Sequence, residues 1–307
     1  MTGRMKIVSL DEATGAPVVV ALGFFDGVHV GHQRLVATTI ERARALGVEA
    51  ALLTFKHHPM QVVRPESAPL ALTTFDEKIA VLATTGLDAT ICCAFDAAFS
   101  QLSPEAFVND VVVARLGAVG VVAGPNYRFG AGGRGDVPLL ESLGAKAGVG
   151  VDIVAPVELD GGLVSSTRIR TCVAEGAVEE AARLLGRPYF AYGRVVHGDK
   201  RGRTIGFPTA NLEVGEGKLL PADGVYAVRV RIGDAWRDGV ANLGVRPTFG
   251  ERRRVLEAHL FGVDADLYGR EAEIAFARRI REERRFDDVR ALIAQIDRDV
   301  EAAREML

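Results

Sequence analysis

Between residues 17 and about 185, apolar positions fall into short, nearly unbroken runs separated by longer stretches with apolar residues at helical spacing. Val18–Leu22, Ala50–Phe55, Thr90–Phe95, Val119–Ala123 and Val151–Ala155 read as strands covered on both faces, since a half-exposed strand would alternate. Gly31–Leu46, Thr74–Thr85 and Pro104–Leu116 read as crossover helices, with Thr74 and Glu77 as a capping box and Ser103-Pro104 as N-cap and first turn. Strands alternating with helices predict a parallel α/β sheet that binds ligands beyond the carboxyl ends of its strands.

After Leu185-Gly186-Arg187-Pro188 the pattern changes, because the strands lose their intervening helices and glycine turns punctuate the chain. Tyr226, Val228, Val230 and Ile232 alternate with Val225, Ala227, Arg229 and Arg231, and Gly233-Asp234 turns the chain back toward Trp236 and Val240 as an antiparallel hairpin. Arg194–Val196, Leu256–Phe261 and Ile274–Ile280 add enough short strands for a small antiparallel barrel, followed by a helix from Asp287 to about Met306. A boundary near residue 186 therefore divides the chain into 1–186 and 187–307, and a length of 307 residues also favours two cores over one.

The formal net charge of −3 provides no bulk field for a nucleic-acid backbone, so nucleic acid is not an expected partner. The longest nearly apolar stretch, Ala16–Phe25, is about half of the roughly 20 residues that span a bilayer, and the first ten residues lack the form of a secretory signal. A cytoplasmic protein without a membrane partner is expected. Cys92, Cys93 and Cys172 lack paired metal-ligand spacing and read as small core residues. The mixed-sign run Arg278 to Arg285 reads as a solvated strand end and turn.

Candidate chemistry lies at two kinds of place. The first strand ends in Gly23-Phe24-Phe25-Asp26-Gly27-Val28-His29-Val30-Gly31-His32, where two histidines meet the unpaired N–H groups and positive dipole end of a helix. A second helix start, Ser165-Ser166-Thr167-Arg168-Ile169-Arg170, adds hydroxyls, amides and arginine. Taken alone, the first would pass for a solvated histidine pair and the second for an ordinary cap. In the second half, Gly198-Asp199-Lys200-Arg201-Gly202-Arg203 reads as a basic turn, and Gly206-Phe207-Pro208-Thr209-Ala210-Asn211 offers neutral oxygens suited to a hard cation. Glu257 stands in the strand-like Val255-Leu256-Glu257-Ala258-His259-Leu260.

With H-x-G-H, S-S-T-x-x-R and Pro208-Thr209-Ala210-Asn211 in this order, the chain resembles, nearly end to end, the bacterial bifunctional riboflavin kinase/FMN adenylyltransferases. Thr54-Phe55-Lys56-His57-His58-Pro59, Gly124-Pro125-Asn126-Tyr127-Arg128-Phe129-Gly130, Asn242–Gly250 and Asp266–Gly269 extend the resemblance. It implies a Rossmann-like nucleotidyltransferase domain with a parallel sheet, followed by a small antiparallel β-barrel riboflavin kinase domain with a C-terminal helix. It further implies that ATP phosphorylates riboflavin to FMN and ADP, and that ATP then adenylylates FMN to FAD and pyrophosphate, both with Mg²⁺. By carry-over His29, His32 and Arg170 act on ATP phosphates, with Gly23, Asp26, Gly31, Asn126, Ser166 and Thr167 around the nucleotide. Gly198, Lys200 and Gly206 belong to the kinase nucleotide loop, Thr209 and Asn211 hold the metal, and Glu257 is the base for the riboflavin hydroxyl. An ionised FMN phosphate needs no such base, so the carboxylate belongs to the kinase. Phe24, Lys56-His57 and Pro125 depart from the family pattern; the alternative they raise is a kinase with a weak or inactive adenylyltransferase half.

Overall fold

The structure is a computed structural model that describes residues 4–197, 206–248, 251–263 and 265–307. It divides into two compact units, Met1–Ser165 and Ser166–Leu307.

The first unit is a six-stranded parallel sheet formed by β1 (Lys6–Ser9), β2 (Val18–Leu22), β3 (Glu49–Phe55), β4 (Ala89–Cys93), β5 (Ala118–Ala123) and β6 (Gly150–Ile153). The strands lie in the order β1-β4-β3-β2-β5-β6, with β2 near the middle. Successive side chains of β2 serve opposite faces: Val18, Val20 and Leu22 pack with Phe107, Val111 and Leu140, whereas Val19 and Ala21 pack with Val36, Ala43 and Leu82. This two-sided burial is why the strand reads as an unbroken apolar run. Missing from the sequence reading is β1, an edge strand with Lys6 and Ile7 exposed, which has no buried stripe to reveal it.

The helices of this unit are α1 (Val30–Leu46), α2 (Met60–Val63), α3 (Phe75–Leu82), α4 (Ala97–Ser100), α5 (Pro104–Ala106) and α6 (Val137–Ala147). Between α5 and β5, Phe107–Arg115 continues as a π-helix. Thr74 and Glu77 form the expected capping box on α3, and the Ser103 hydroxyl caps α5 ahead of Pro104. A small hairpin, β7 (Glu158–Leu159) with β8 (Gly162–Leu163), follows the sheet. Cys93 and Cys172 are buried and Cys92 is half-buried; all three are free thiols.

The second unit opens with α7 (Ser166–Glu175) and α8 (Val178–Leu185). Six antiparallel strands then close a barrel in the order β10-β13-β12-β11-β14-β9. They are β9 (Tyr189–Val196), β10 (Ala210–Val214), β11 (Gly224–Ile232), β12 (Ala235–Thr248), β13 (Glu251–Leu260) and β14 (Glu271–Arg281), followed by α9 (Val289–Met306). Ile232 pairs with Ala235, so Gly233-Asp234 is the two-residue turn that the alternation implied.

Helices α7 and α8 pack on the barrel. Ala222 N–H donates to the Val173 carbonyl at 3.2 Å, and Arg279 Nη1 donates to the Glu175 carbonyl at 3.3 Å. Gly176, with φ of 78°, joins them where any Cβ would come within 2.8 Å of the Tyr226 hydroxyl. The packing boundary at Ser165/Ser166 and the expected boundary after residue 186 thus differ by this helix pair.

The run Arg278 to Arg285 is the strand end and exposed turn that its charges suggested at Arg278 and at 282–285, but Arg279 and Arg281 are half-buried and tied. Arg281 forks onto Asp299 of α9 at 2.9 and 2.8 Å, with Asp299 only 4% exposed, and Gln295 Nε2 donates to the same carboxylate at 2.7 Å. Arg279 Nη2 donates to the Asp223 carbonyl at 2.8 Å. Mixed charge hid a set of ties that hold α9 and the strand ends together.

Candidate functional site

The turn from β2 into α1 is built under backbone strain. Phe25 and Val28 both adopt positive φ, 58° and 42°, in a region that bulky and β-branched side chains avoid at a cost of order 1–3 kcal/mol. Asp26 holds the turn in place: its buried carboxylate accepts from Leu72 N–H at 3.0 Å, Thr73 N–H at 3.1 Å and the Thr73 hydroxyl at 3.3 Å. The Thr73 hydroxyl oxygen in turn accepts from Gly27 N–H at 3.1 Å. Asp26 therefore anchors the loop that carries the histidines. Gly23 leaves room for the Phe25 ring, which a Cβ there would approach to 2.9 Å, and a Cβ at Gly31 would lie 3.1 Å from His29 Nδ1.

His29 caps α1, its Nδ1 accepting from His32 N–H at 3.3 Å. That bond makes Nδ1 the acceptor, so the ring's N–H proton is carried on Nε2. The two imidazoles stack with centroids 3.6 Å apart, and Phe25 lies 5.0 Å from His32. The His32 Nδ1 is sealed from solvent and without a hydrogen-bond partner. Burial, then His29 and Lys78, hold the His32 pKa well below the usual histidine range, so the ring is neutral near pH 7. A sealed, unpaired ring nitrogen is a costly arrangement, carried by a turn whose backbone is also strained.

Behind this turn lies Lys78 of α3, 2% exposed. Its ammonium donates to the Phe55 carbonyl at 2.7 Å, the Thr54 hydroxyl at 3.0 Å and the Phe24 carbonyl at 3.1 Å. The Phe24 ring sits over it at 4.2 Å and meets His58 edge-on at 4.6 Å. Desolvation lowers the lysine pKa to about 8, opposed by Asp26 and Cys92.

The remaining N-terminal candidates are distributed along the chain. Asn126 is exposed on the turn after β5, where Tyr127 N–H donates to the Gly124 carbonyl at 3.1 Å. Ser166 and Thr167 open α7 in the second unit, with Arg170 half-buried on the same helix. The intervening Arg168 pairs with Glu180 at 2.9 Å, so it is held by α8.

In the barrel, Asn211 of β10, Glu257 of β13 and Asn242 of β12 are register partners and form one row across three strands. Glu257 and Asn242 line a cavity of about 300 Å³ with Thr209, Arg281, Phe286 and Ile296. Its wall therefore combines the barrel face with α9. Thr209 also lines a second cavity of about 490 Å³, with Pro208, Asp266 and Tyr268. His259 Nδ1 lies 2.8 Å from the Pro208 carbonyl and ties the Phe207-Pro208-Thr209 turn to β13. Gly206, φ 91°, begins that turn in a conformation suited to glycine. Gly198 and Lys200 lie outside the described residues.

Comparison with known proteins gives a consistent pattern for both regions. Residues 11–168 match the FAD synthetase family model, and residues 185–307 match the riboflavin kinase model. Across 306 residues the chain is 39% identical to the bifunctional riboflavin kinase/FMN adenylyltransferase of Escherichia coli K12, covering 98% of this chain and 97% of the relative. The chain belongs to the bifunctional riboflavin kinase/FMN adenylyltransferase family. Relatives in this family from Listeria monocytogenes and Bacillus subtilis are 40% and 38% identical, over 97% and 94% of this chain and 95% and 92% of theirs. A crystal structure described as a macrolide-efflux protein from Streptococcus pneumoniae superposes with a TM-score of 0.90 at 33% identity, over 98% of this chain and 99% of that one. Among the described residues here, no helix is long and apolar enough to cross a membrane.

The bifunctional family signatures led to the histidines, to the Pro208–Asn211 turn and to Glu257, but not to Lys78, Thr73 or the Arg281–Asp299 fork. One signal for Lys78 was available. It stands between Phe75 and Leu82 on the apolar stripe of α3, where a lysine must find internal acceptors.

Proposed function

We propose that this chain makes both flavin nucleotides: its C-terminal region transfers the ATP γ-phosphoryl group to riboflavin, giving FMN and ADP, and its N-terminal region transfers AMP from ATP to FMN, giving FAD and pyrophosphate. The observation that carries this reading is the joint presence of a sealed histidine turn in a parallel sheet and a cavity-facing carboxylate in a barrel. Their chemistries match the two nucleophiles.

The riboflavin hydroxyl is un-ionised near neutral pH, and Glu257 accepts its proton as the oxygen attacks phosphorus. The 300 Å³ cavity, walled by Phe286 and Ile296, takes the flavin; the 490 Å³ cavity takes the nucleotide, with Thr209 common to both. The hydroxyl of Thr209 and the amide oxygen of Asn211 form a neutral, hard donor set beside the Glu257 carboxylate, which fits Mg²⁺ shared with phosphate oxygens. When bound, such an ion neutralises charge on the transferring phosphoryl group. Gly206 supplies the turn that delivers Thr209.

An FMN phosphate is already ionised and attacks the α-phosphorus without a protein base. His29 offers Nε2–H at the start of α1, where the helix amides and dipole add positive potential. His32 contributes as a neutral ring stacked on His29, while Asp26, Gly23 and Gly31 shape the turn. Asn126, Ser166, Thr167 and Arg170 serve the same transfer, the arginine through charge-assisted bonds to phosphate oxygens. A cytoplasmic location fits a chain whose substrates are ATP and small flavins.

Chromatography of reactions containing purified protein, Mg²⁺, ATP and either riboflavin or FMN tests the two halves independently. FAD from both flavins is the expected result. If riboflavin stops at FMN and added FMN is untouched, the adenylyltransferase reading fails and the chain is a kinase alone.

A further inference from the structure

The mouths of β2 and β3 are joined by a single buried cation. Lys78 reaches up from α3 to the carbonyl of Phe24, which begins the histidine turn, and to the carbonyl of Phe55, which begins the loop Lys56-His57-His58. Its third bond goes to the Thr54 hydroxyl, which itself donates to the Phe24 carbonyl at 2.8 Å. Three acceptors around one nitrogen demand three N–H donors. Only the protonated amine has them, since the neutral form has two donors and a lone pair.

We propose that Lys78 is a positioning residue for adenylyl transfer, an internal clamp whose charged form holds the Gly23–His32 turn and the Phe55–His58 loop in their working arrangement. The inference rests on the adenylyltransferase reading of the N-terminal region. It goes beyond the family's motifs, because Lys78 belongs to neither histidine nor serine-threonine signature and touches backbone rather than an open surface.

Charged and titratable groups reach the clamp from several elements. Asp26 lies on the turn after β2 and favours the ammonium, as does Cys92 on β4. His32 of α1 couples to it, His58 abuts the far edge of Phe24, and Glu77 on the same helix is occupied with the Thr74 N–H. Desolvation outweighs the favourable partners and brings the lysine pKa down to about 8. Loss of the proton removes the charge and one donor; the Thr54 hydroxyl can meet the amine lone pair only by giving up its own bond to the Phe24 carbonyl, so the histidine turn loosens. Linkage has the opposite sign for stability: a lysine depressed in the folded state makes the fold more stable as pH rises from about 8 toward the unfolded value of roughly 10.4, while adenylylation declines.

The test is the pH dependence of FMN-to-FAD conversion from pH 6.5 to 9.5 in the full-length protein, with the riboflavin-to-FMN rate in the same chain as internal control. Adenylylation relative to the kinase should fall three- to tenfold with a midpoint near 8. Lys78→Gln and Lys78→Met should each lower kcat for FAD formation about tenfold or more, flatten the alkaline limb, and leave the kinase rate within twofold. A flat wild-type ratio across this range overturns the proposal, as does a Lys78→Met protein with the wild-type rate and profile. If neither variant folds, the wild-type ratio alone decides. Wild-type protein that makes no FAD at any pH fails the functional reading instead, so the two failures are distinguishable.

Discussion

The two regions place their chemistry in different structural settings. In the parallel sheet, the two histidines and Asp26 stand close together in the chain on a turn between a strand and a helix, and the backbone is forced through two left-handed non-glycine residues to present them. In the barrel, Asn211, Glu257 and Asn242 sit on regular strands, and sheet register alone brings them together. On the proposed function, the first site draws on amides, a helix dipole and imidazoles to receive an anion, and the second puts a carboxylate where a proton must be accepted. The nucleophile's charge accounts for the difference: a phosphate needs its surroundings made positive, whereas a hydroxyl needs a base.

The sharpest way to break this comparison is Glu257→Ala. Riboflavin phosphorylation should drop by about 10²- to 10⁴-fold, the range of a lost general base, while FMN-to-FAD conversion remains within twofold. Equal loss of both, in protein with unchanged circular dichroism, would remove the chemical distinction between the sites. The converse is Arg170→Ala. Loss of a charge-assisted bond to phosphate, worth about 1.5–3 kcal/mol, should slow FAD formation roughly 10- to 100-fold and leave the kinase rate unaltered. A kinase defect of the same size would show that α7, which packs on the barrel, serves phosphoryl transfer instead.

A smaller effect separates scaffold from chemistry. Asp26→Ala strips the acceptor from Leu72 N–H and Thr73 N–H, both buried, and should cost about 2–3 kcal/mol. For a unit of this size that corresponds to a fall of roughly 4–12 °C in its melting transition, measured by calorimetry. FAD formation should fall several-fold with it, and the barrel's transition should not move. An unchanged melting profile combined with a large activity loss would mean that Asp26 meets the ligand directly.

These settings also determine what could be read from sequence. Two-sided burial left β2, β3, β4 and β5 as plain apolar runs, and alternation marked the β11–β12 hairpin to its turn residues. The histidine turn was visible because all its parts are neighbours in the chain. The row in the barrel was not visible as a row: nothing local says that residue 211 faces 257 and 257 faces 242, since register depends on closure of the whole sheet. Charge read locally also misled at Arg281, whose partner Asp299 lies on a later helix, and Lys78 passed unnoticed because its three acceptors come from two earlier segments, at Phe24 and at Thr54-Phe55.

Phe24 gives the finest test, with the smallest expected change. Phe24 departs from the pattern of the family that the sequence resembles, and that departure raised the alternative of an idle N-terminal half. In the structure the bond to Lys78 is made by the Phe24 carbonyl, which any residue supplies, and the ring adds a cation–π contact worth about 0.5–2 kcal/mol in a desolvated setting. Phe24→Thr keeps the carbonyl and gives up the ring. FAD formation should therefore stay within about fivefold of the parent, in either direction, with the kinase rate as control. A gain well beyond tenfold would identify the ring as an obstacle in the nucleotide path and the parent protein as a slow adenylyltransferase. A loss of that size would instead assign the ring itself, set between Lys78 and His58, a part in holding the two loop mouths.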